Sequence, residues 1–129
     1  MIGLLLITHY TYGESLIQSV HHVLNTVPPQ LEQLGVMEKD DPLDLLPRAR
    51  EVVKQLDSGN GVLVMTDMYG GSPANIAMKL LVPGRIEGLA GVNLPMLLRA
   101  LTYRDKNMET LVMRATTGGR DGVVNMLKH

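Results

Sequence analysis

Cysteine, tryptophan and phenylalanine are all missing from the 129 residues of this chain. Without cysteine there is no disulfide scaffold, no thiol nucleophile and no thiolate-ligated zinc or iron–sulfur site. A reducing cytoplasm is therefore the default compartment. An excess of charge of one sign is missing too: 12 Lys and Arg against 13 Asp and Glu leave a formal net charge of −1. With no basic cluster to neutralise phosphates, nucleic acid is not an expected partner. No apolar run approaches the roughly 18 residues of a membrane span, and the longest, such as Gly3-Leu4-Leu5-Leu6-Ile7, are strand-sized. The N-terminus also lacks the basic region and small-residue cleavage site of a secretory signal.

What remains is the composition of a folded domain. An apolar fraction of 45% with 19% charged residues argues against disorder, and the length points to one domain over residues 1–129. Short apolar runs alternate with longer stretches of helical period, the pattern of an α/β fold with a parallel sheet. Ile2–Ile7 is continuously apolar, as a strand covered on both faces must be. Leu16, Ile17, Val20, Val23 and Leu24 form one helical stripe over Gly13–Asn25, and Pro28-Pro29 prevents its continuation. Leu31–Met37 reads as a partly polar edge strand. Leu45, Leu46, Ala49, Val52, Val53 and Leu56 keep helical spacing, with Asp44 as N-cap and Pro47 in the first turn. Ser58-Gly59-Asn60-Gly61 ends that helix. Val62–Thr66 is the next strand, Asp67–Gly71 a turn, and Ser72-Pro73 the N-cap and first residue of a helix with Ile76, Ala77, Leu80 and Leu81. Ile86–Val92 is the last strand. Asn93 caps a helix through Leu101, and Asn107 caps another that Gly118-Gly119 interrupts before Val123, Val124 and Leu127 resume it. The expected architecture is a single three-layer domain around a mainly parallel four-stranded sheet, order 2-1-3-4.

In such sheets ligands bind beyond the carboxyl ends of the strands, where successive connections leave to opposite faces. That rule selects Thr8-His9, Thr66-Asp67 and Gly91-Val92-Asn93. With order 2-1-3-4 the first and third strands are neighbours about 4.8 Å apart, so His9 and Asp67 face each other. A carboxylate that accepts from one ring N–H fixes the tautomer and leaves the other nitrogen nucleophilic. Gly70-Gly71-Ser72-Pro73 then opens a helix, whose free amides and dipole attract an oxyanion. Each feature has a plainer reading: His9 as a solvated histidine, Asp67 as an Asx-turn residue, the glycine pair as an ordinary turn. Their convergence on one crevice is the pattern of a phosphohistidine site, in which the protein positions and neutralises a group that carries its own charge. His21, His22 and His129 read as surface residues without metal-ligand spacing, and neither metal nor cofactor is required. Met68 and Met96 fall on loops beside the crevice, as do Tyr10, Tyr12 and Tyr69, three of the 4 tyrosines.

Thr8-His9, Thr66-Asp67-Met68-Tyr69-Gly70-Gly71-Ser72-Pro73, Gly91-Val92-Asn93-Leu94-Pro95 and Thr117-Gly118-Gly119-Arg120 together resemble the enzyme IIA component of the mannose/fructose-type bacterial phosphotransferase system, in register over nearly the whole chain. The resemblance implies a cytoplasmic homodimer that takes a phosphoryl group from the carrier HPr on His9, at the nitrogen far from the backbone, and passes it to a IIB component. Asp67 would hold the near nitrogen, while Thr66, Gly71 and Ser72 would receive the phosphate. The family pattern has glycine directly after the histidine, whereas this chain has Tyr10. It also reads as a free-standing IIA, ending at His129 without a IIB domain, so a regulatory target read by phosphorylation state is the alternative to sugar uptake. Two other classes stay in view. A Ser72–His9–Asp67 hydrolase lacks the Gly-x-Ser-x-Gly elbow, and Pro73 has no N–H for an oxyanion hole. A non-catalytic module would only bind a small phosphorylated ligand.

Overall fold

The computed structural model describes residues 1–128, with His129 outside them. Its central strand, β1 (Gly3–His9), is buried from Gly3 to Thr8 because both faces of the sheet are covered. β2 (Leu31–Val36), β3 (Val62–Thr66) and β4 (Ile86–Ala90) all run parallel to their neighbours in the order β2-β1-β3-β4. Alternate side chains of β1 point to opposite faces. Leu4 and Leu6 join Leu63 and Met65 under α1 (Tyr12–Leu24), α4 (Leu94–Tyr103) and α5 (Met108–Asp121). Leu5 and Ile7 join Val62 and Val64 under α2 (Pro42–Leu56) and α3 (Ser72–Met78). The result is a three-layer α/β domain, held by burial worth about 1.5–3 kcal/mol for each large aliphatic side chain.

Several boundaries differ from the sequence reading, each for a local reason. α2 begins a turn earlier: Asp41, in extended conformation, accepts the Leu43 amide at 2.9 Å, and Pro42 supplies the preset first residue. Asp44 is thereby a first-turn acid rather than the cap. Pro47 lies inside the helix, where the carbonyl it leaves free belongs to exposed Leu43. Gly71 rather than Ser72 caps α3, and Ser72 is its first residue. β4 stops at Ala90 because Gly91 turns to φ +96°, which lets the amides of Gly91 and Val92 both donate to the Thr66 carbonyl.

The largest correction concerns Gly118-Gly119, which do not interrupt α5. Both are buried. A Cβ on Gly118 would sit 2.7 Å from Arg99 Cβ, and one on Gly119 2.8 Å from Met96 Cε. Glycine costs about 1 kcal/mol in a helix interior and here permits the close approach of α5 to α4. The helix does not resume after Asp121, and Leu127 is 94% exposed. Met96 is a buried residue of α4, not a loop residue. His22 is exposed and His21 half-buried.

Candidate active site

β1 connects through α1 to outer strand β2, and β3 through α3 to the opposite outer strand, with α1 and α3 on opposite faces. The crevice this creates lies between the carboxyl ends of β1 and β3. His9 closes β1, and Asp67 follows β3. The His9 amide donates to Asp67 Oδ2 at 3.1 Å, and ring Nδ1 contacts the same oxygen at 2.8 Å. An ionised carboxylate only accepts, so Nδ1 carries a proton, and in the neutral imidazole the lone pair is on Nε2. The imidazole is 38% exposed against 17% for the carboxylate, so the ring is reachable while its partner is shielded. The second carboxylate oxygen, Oδ1, is buried with no hydrogen-bond partner.

Nε2 lies against Gly71. That residue has φ +96° and ψ −179°, a combination essentially confined to glycine. A Cβ there would lie 3.1 Å from Nε2 and 3.2 Å from Cε1. Glycine therefore both permits the turn and keeps the nucleophile uncovered. In α3 the first amide to find a main-chain acceptor is that of Asn75, 3.1 Å from the Gly71 carbonyl. The amides of Gly71, Ser72 and Ala74 have none among the described residues, which leaves donors beside Nε2 for an oxyanion. Ser72 is half-buried at the same edge. Thr66 is buried, and its hydroxyl donates to the Met68 carbonyl at 3.1 Å, so it braces the loop that presents Asp67.

Apolar side chains surround this polar centre. Tyr10 is 52% exposed, Met68 54% and Tyr69 76%. Tyr12 behaves differently: it opens α1, and its hydroxyl donates to the Val92 carbonyl at 2.9 Å, tying the loop after β1 to the loop after β4. Asn93, as expected, caps α4 through the Met96 amide at 2.9 Å, and it also donates to the Gly119 carbonyl at 3.1 Å. Sequence reasoning missed the Tyr12 tether, because no periodicity links residues 80 apart.

A family model described as "PTS system fructose IIA component" matches residues 3–116. The chain belongs to this family. Its members are IIA components of phosphotransferase systems and have a phosphotransfer role there. The IIA chain is 31% identical over 128 residues to the mannose-specific EIIAB component of Escherichia coli strain K12, covering 95% of this chain but only 38% of that protein. In fold it resembles a phosphotransferase system EIIA from Streptococcus agalactiae, with TM-score 0.89, 22% identity and full coverage of both chains. It also resembles the mannose/sorbose-specific IIA subunit from Enterococcus faecalis, with TM-score 0.84, 24% identity and coverage of 96% and 93%. Directly after His9, Tyr10 adopts φ +50°. This left-handed turn costs a non-glycine residue roughly 1–2 kcal/mol.

Proposed function

We propose that this IIA chain is a cytoplasmic phosphocarrier that accepts a phosphoryl group from the phosphohistidine of HPr and delivers it to a IIB component in phosphoenolpyruvate-dependent sugar transport. The observation that carries the reading is the Asp67–His9 pair, with Nδ1 held at 2.8 Å and Nε2 open beside Gly71. The Nε2 lone pair forms the new N–P bond as the donor's N–P bond breaks. The Nδ1 proton stays in place, and the Asp67 carboxylate offsets the positive charge that develops on the ring. The amides of Gly71 and Ser72, with the Ser72 hydroxyl, receive the phosphate oxygens, and Thr66 contributes through the loop it braces. Because no Lys or Arg pairs with His9 or Asp67 among the described residues, backbone dipoles and the partner supply the neutralising charge.

The exposed Tyr10, Met68 and Tyr69 around His9 support a protein partner over a small ligand, since half-exposed aromatic and methionine side chains are the ones that gain by docking. The triad hydrolase finds no support in Ser72, which sits at the start of α3 directly before Pro73. A homodimer is supported by two features left open among the described residues: the outer edge of β4 beyond Ile86, which bridges Val82, and the exposed Val123, Met126 and Leu127. Open edges and apolar tails are usually covered, and a second copy covers both here. Light scattering coupled to size exclusion then gives twice the chain mass.

The test is direct. Incubation with phosphoenolpyruvate, enzyme I and HPr gives wild-type protein a single acid-labile phosphate, and His9→Ala none. Label that persists in His9→Ala overturns the proposal. Adding a IIB protein drains the phosphate if the chain feeds transport; phosphate that only a regulatory target reads moves the assignment to the alternative role.

A further inference from the structure

The strained turn after His9 is held from outside the candidate site. Tyr10 continues the β1–β2 ladder, its amide donating to the Val36 carbonyl at 3.0 Å, and then bends to φ +50°. This bend sends the Tyr10 carbonyl over Gly35 in edge strand β2. A Cβ on Gly35 would lie 2.3 Å from that oxygen and 3.3 Å from its carbon, a separation real Cβ atoms do not reach against backbone. Gly35 itself has no positive φ, so it is glycine for space and not for its own conformation. We propose that Gly35 is a positioning residue for His9, whose missing side chain makes room for the Tyr10 turn that sets the direction of the imidazole.

The turn cannot absorb a displaced carbonyl freely, because it is anchored on both sides. Upstream, the His9 amide and ring share Asp67 Oδ2. Downstream, the Gly13 amide donates to Thr8 Oγ1 at 2.8 Å and the Tyr12 hydroxyl to the Val92 carbonyl at 2.9 Å. Gly13 packs closely on this anchor, since a Cβ on it would lie 3.1 Å from Thr8 Oγ1. A methyl group at position 35 therefore pushes Tyr10 and Thr11, the segment between the anchors, and through them strains the hold of Asp67 on His9. The shift needed to restore ordinary contact is on the order of 1 Å, and misplacement on that scale costs up to about a hundredfold in a reaction that depends on alignment. The competing response is for β2, paired on one side only, to move away as a unit; that would lower stability and leave His9 undisturbed.

Three variants and two readouts separate these responses. In Gly35→Ala, nitrogen NMR of the His9 imidazole shows loss of the single Nδ1-protonated tautomer, and phosphoryl acceptance from HPr slows about tenfold. Adding Tyr10→Gly, which frees the turn to redirect its carbonyl, restores the wild-type tautomer; in this double variant the tautomer alone is read, because Tyr10 also belongs to the surface that faces HPr. Gln33→Ala, on the same strand, changes neither. The rate readout rests on the proposed function, whereas the tautomer readout does not, so a wild-type protein that accepts no phosphate overturns the first reading and still leaves the second to be decided. The positioning role is overturned if Gly35→Ala keeps wild-type His9 signals. It is equally overturned if Tyr10→Gly fails to restore the His9 tautomer in a folded Gly35→Ala, or if the double variant does not fold.

Discussion

Two aspartates at opposite ends of the sheet receive nearly the same kinds of partner and end in different states. Asp57, where α2 stops, has both oxygens engaged: Oδ1 accepts the Gly59 and Gly61 amides at 2.9 and 3.0 Å, and Oδ2 meets Arg85 Nη2 at 2.8 Å. Burial pushes its carboxyl pKa up, but those two amides and the guanidinium outweigh burial and hold it below the ordinary aspartate range. Asp67 places one oxygen under the amide and ring of His9 and leaves the other buried without a partner. The saturated carboxylate fastens a turn, whereas the unsaturated one belongs to the site where we propose that His9 accepts a phosphoryl group. A buried, unpaired acceptor costs about 1–3 kcal/mol, and a protein keeps such a group where function requires it.

The contrast breaks most sharply at Asp67→Asn. The neutral amide can present its NH2 to Nδ1, reversing the tautomer and moving the proton to Nε2, so phosphoryl acceptance falls about a hundredfold. Stability changes by no more than about 1 kcal/mol, because the lost contacts had already left one oxygen unsatisfied. Equal losses of rate and thermal stability would make Asp67 a structural residue like Asp57.

Asp57→Ala gives the opposite result: about 2 kcal/mol of stability is lost with three hydrogen bonds, and phosphoryl acceptance is unchanged under folding conditions. The pH dependence follows from the sign of the shift. A carboxyl whose folded pKa is depressed binds protons more readily when unfolded, so its stabilisation is fully present above the ordinary aspartate pKa of about 3.9 and disappears as pH falls through the folded value. Chemical denaturation between pH 6 and 2 shows this acid-side loss in wild type. In Asp57→Ala that part of the slope is absent, and a variant with the wild-type slope removes the assignment.

The smallest effect sharpens the comparison at the surface. Tyr69→Ala, at 76% exposure, leaves the melting temperature within a few degrees and slows exchange with HPr severalfold. A fall in stability without slower exchange would make Tyr69 a packing residue.

Much of this arrangement could be read from the chain before its fold was known. Continuous apolar runs of strand length, separated by helical stripes, require a sheet covered on both faces. His9 closes β1, Asp67 follows β3 and Gly71-Ser72 open the helix after that turn, so their convergence followed from the strand order. Capping was less secure: several residues near each helix start can accept an amide, and Asp41 prevails over Asp44 only because Pro42 presets the first turn. The glycine pair in α5 misled for a similar reason. Glycine marks either an ending or a close approach, and only the contact with Arg99 and Met96 distinguishes them.

By itself, then, the sequence determined the α/β architecture, the exclusion of thiol chemistry and the meeting of His9 with Asp67 at the strand ends, because periodicity, composition and strand-end position act locally along the chain. The tertiary structure alone decided that Asp67 keeps one oxygen unpaired, that Tyr12 reaches Val92, and that Gly35 lies beneath the Tyr10 carbonyl. Those contacts join residues far apart in sequence through distances of a few ångströms. Only packing brings such groups together.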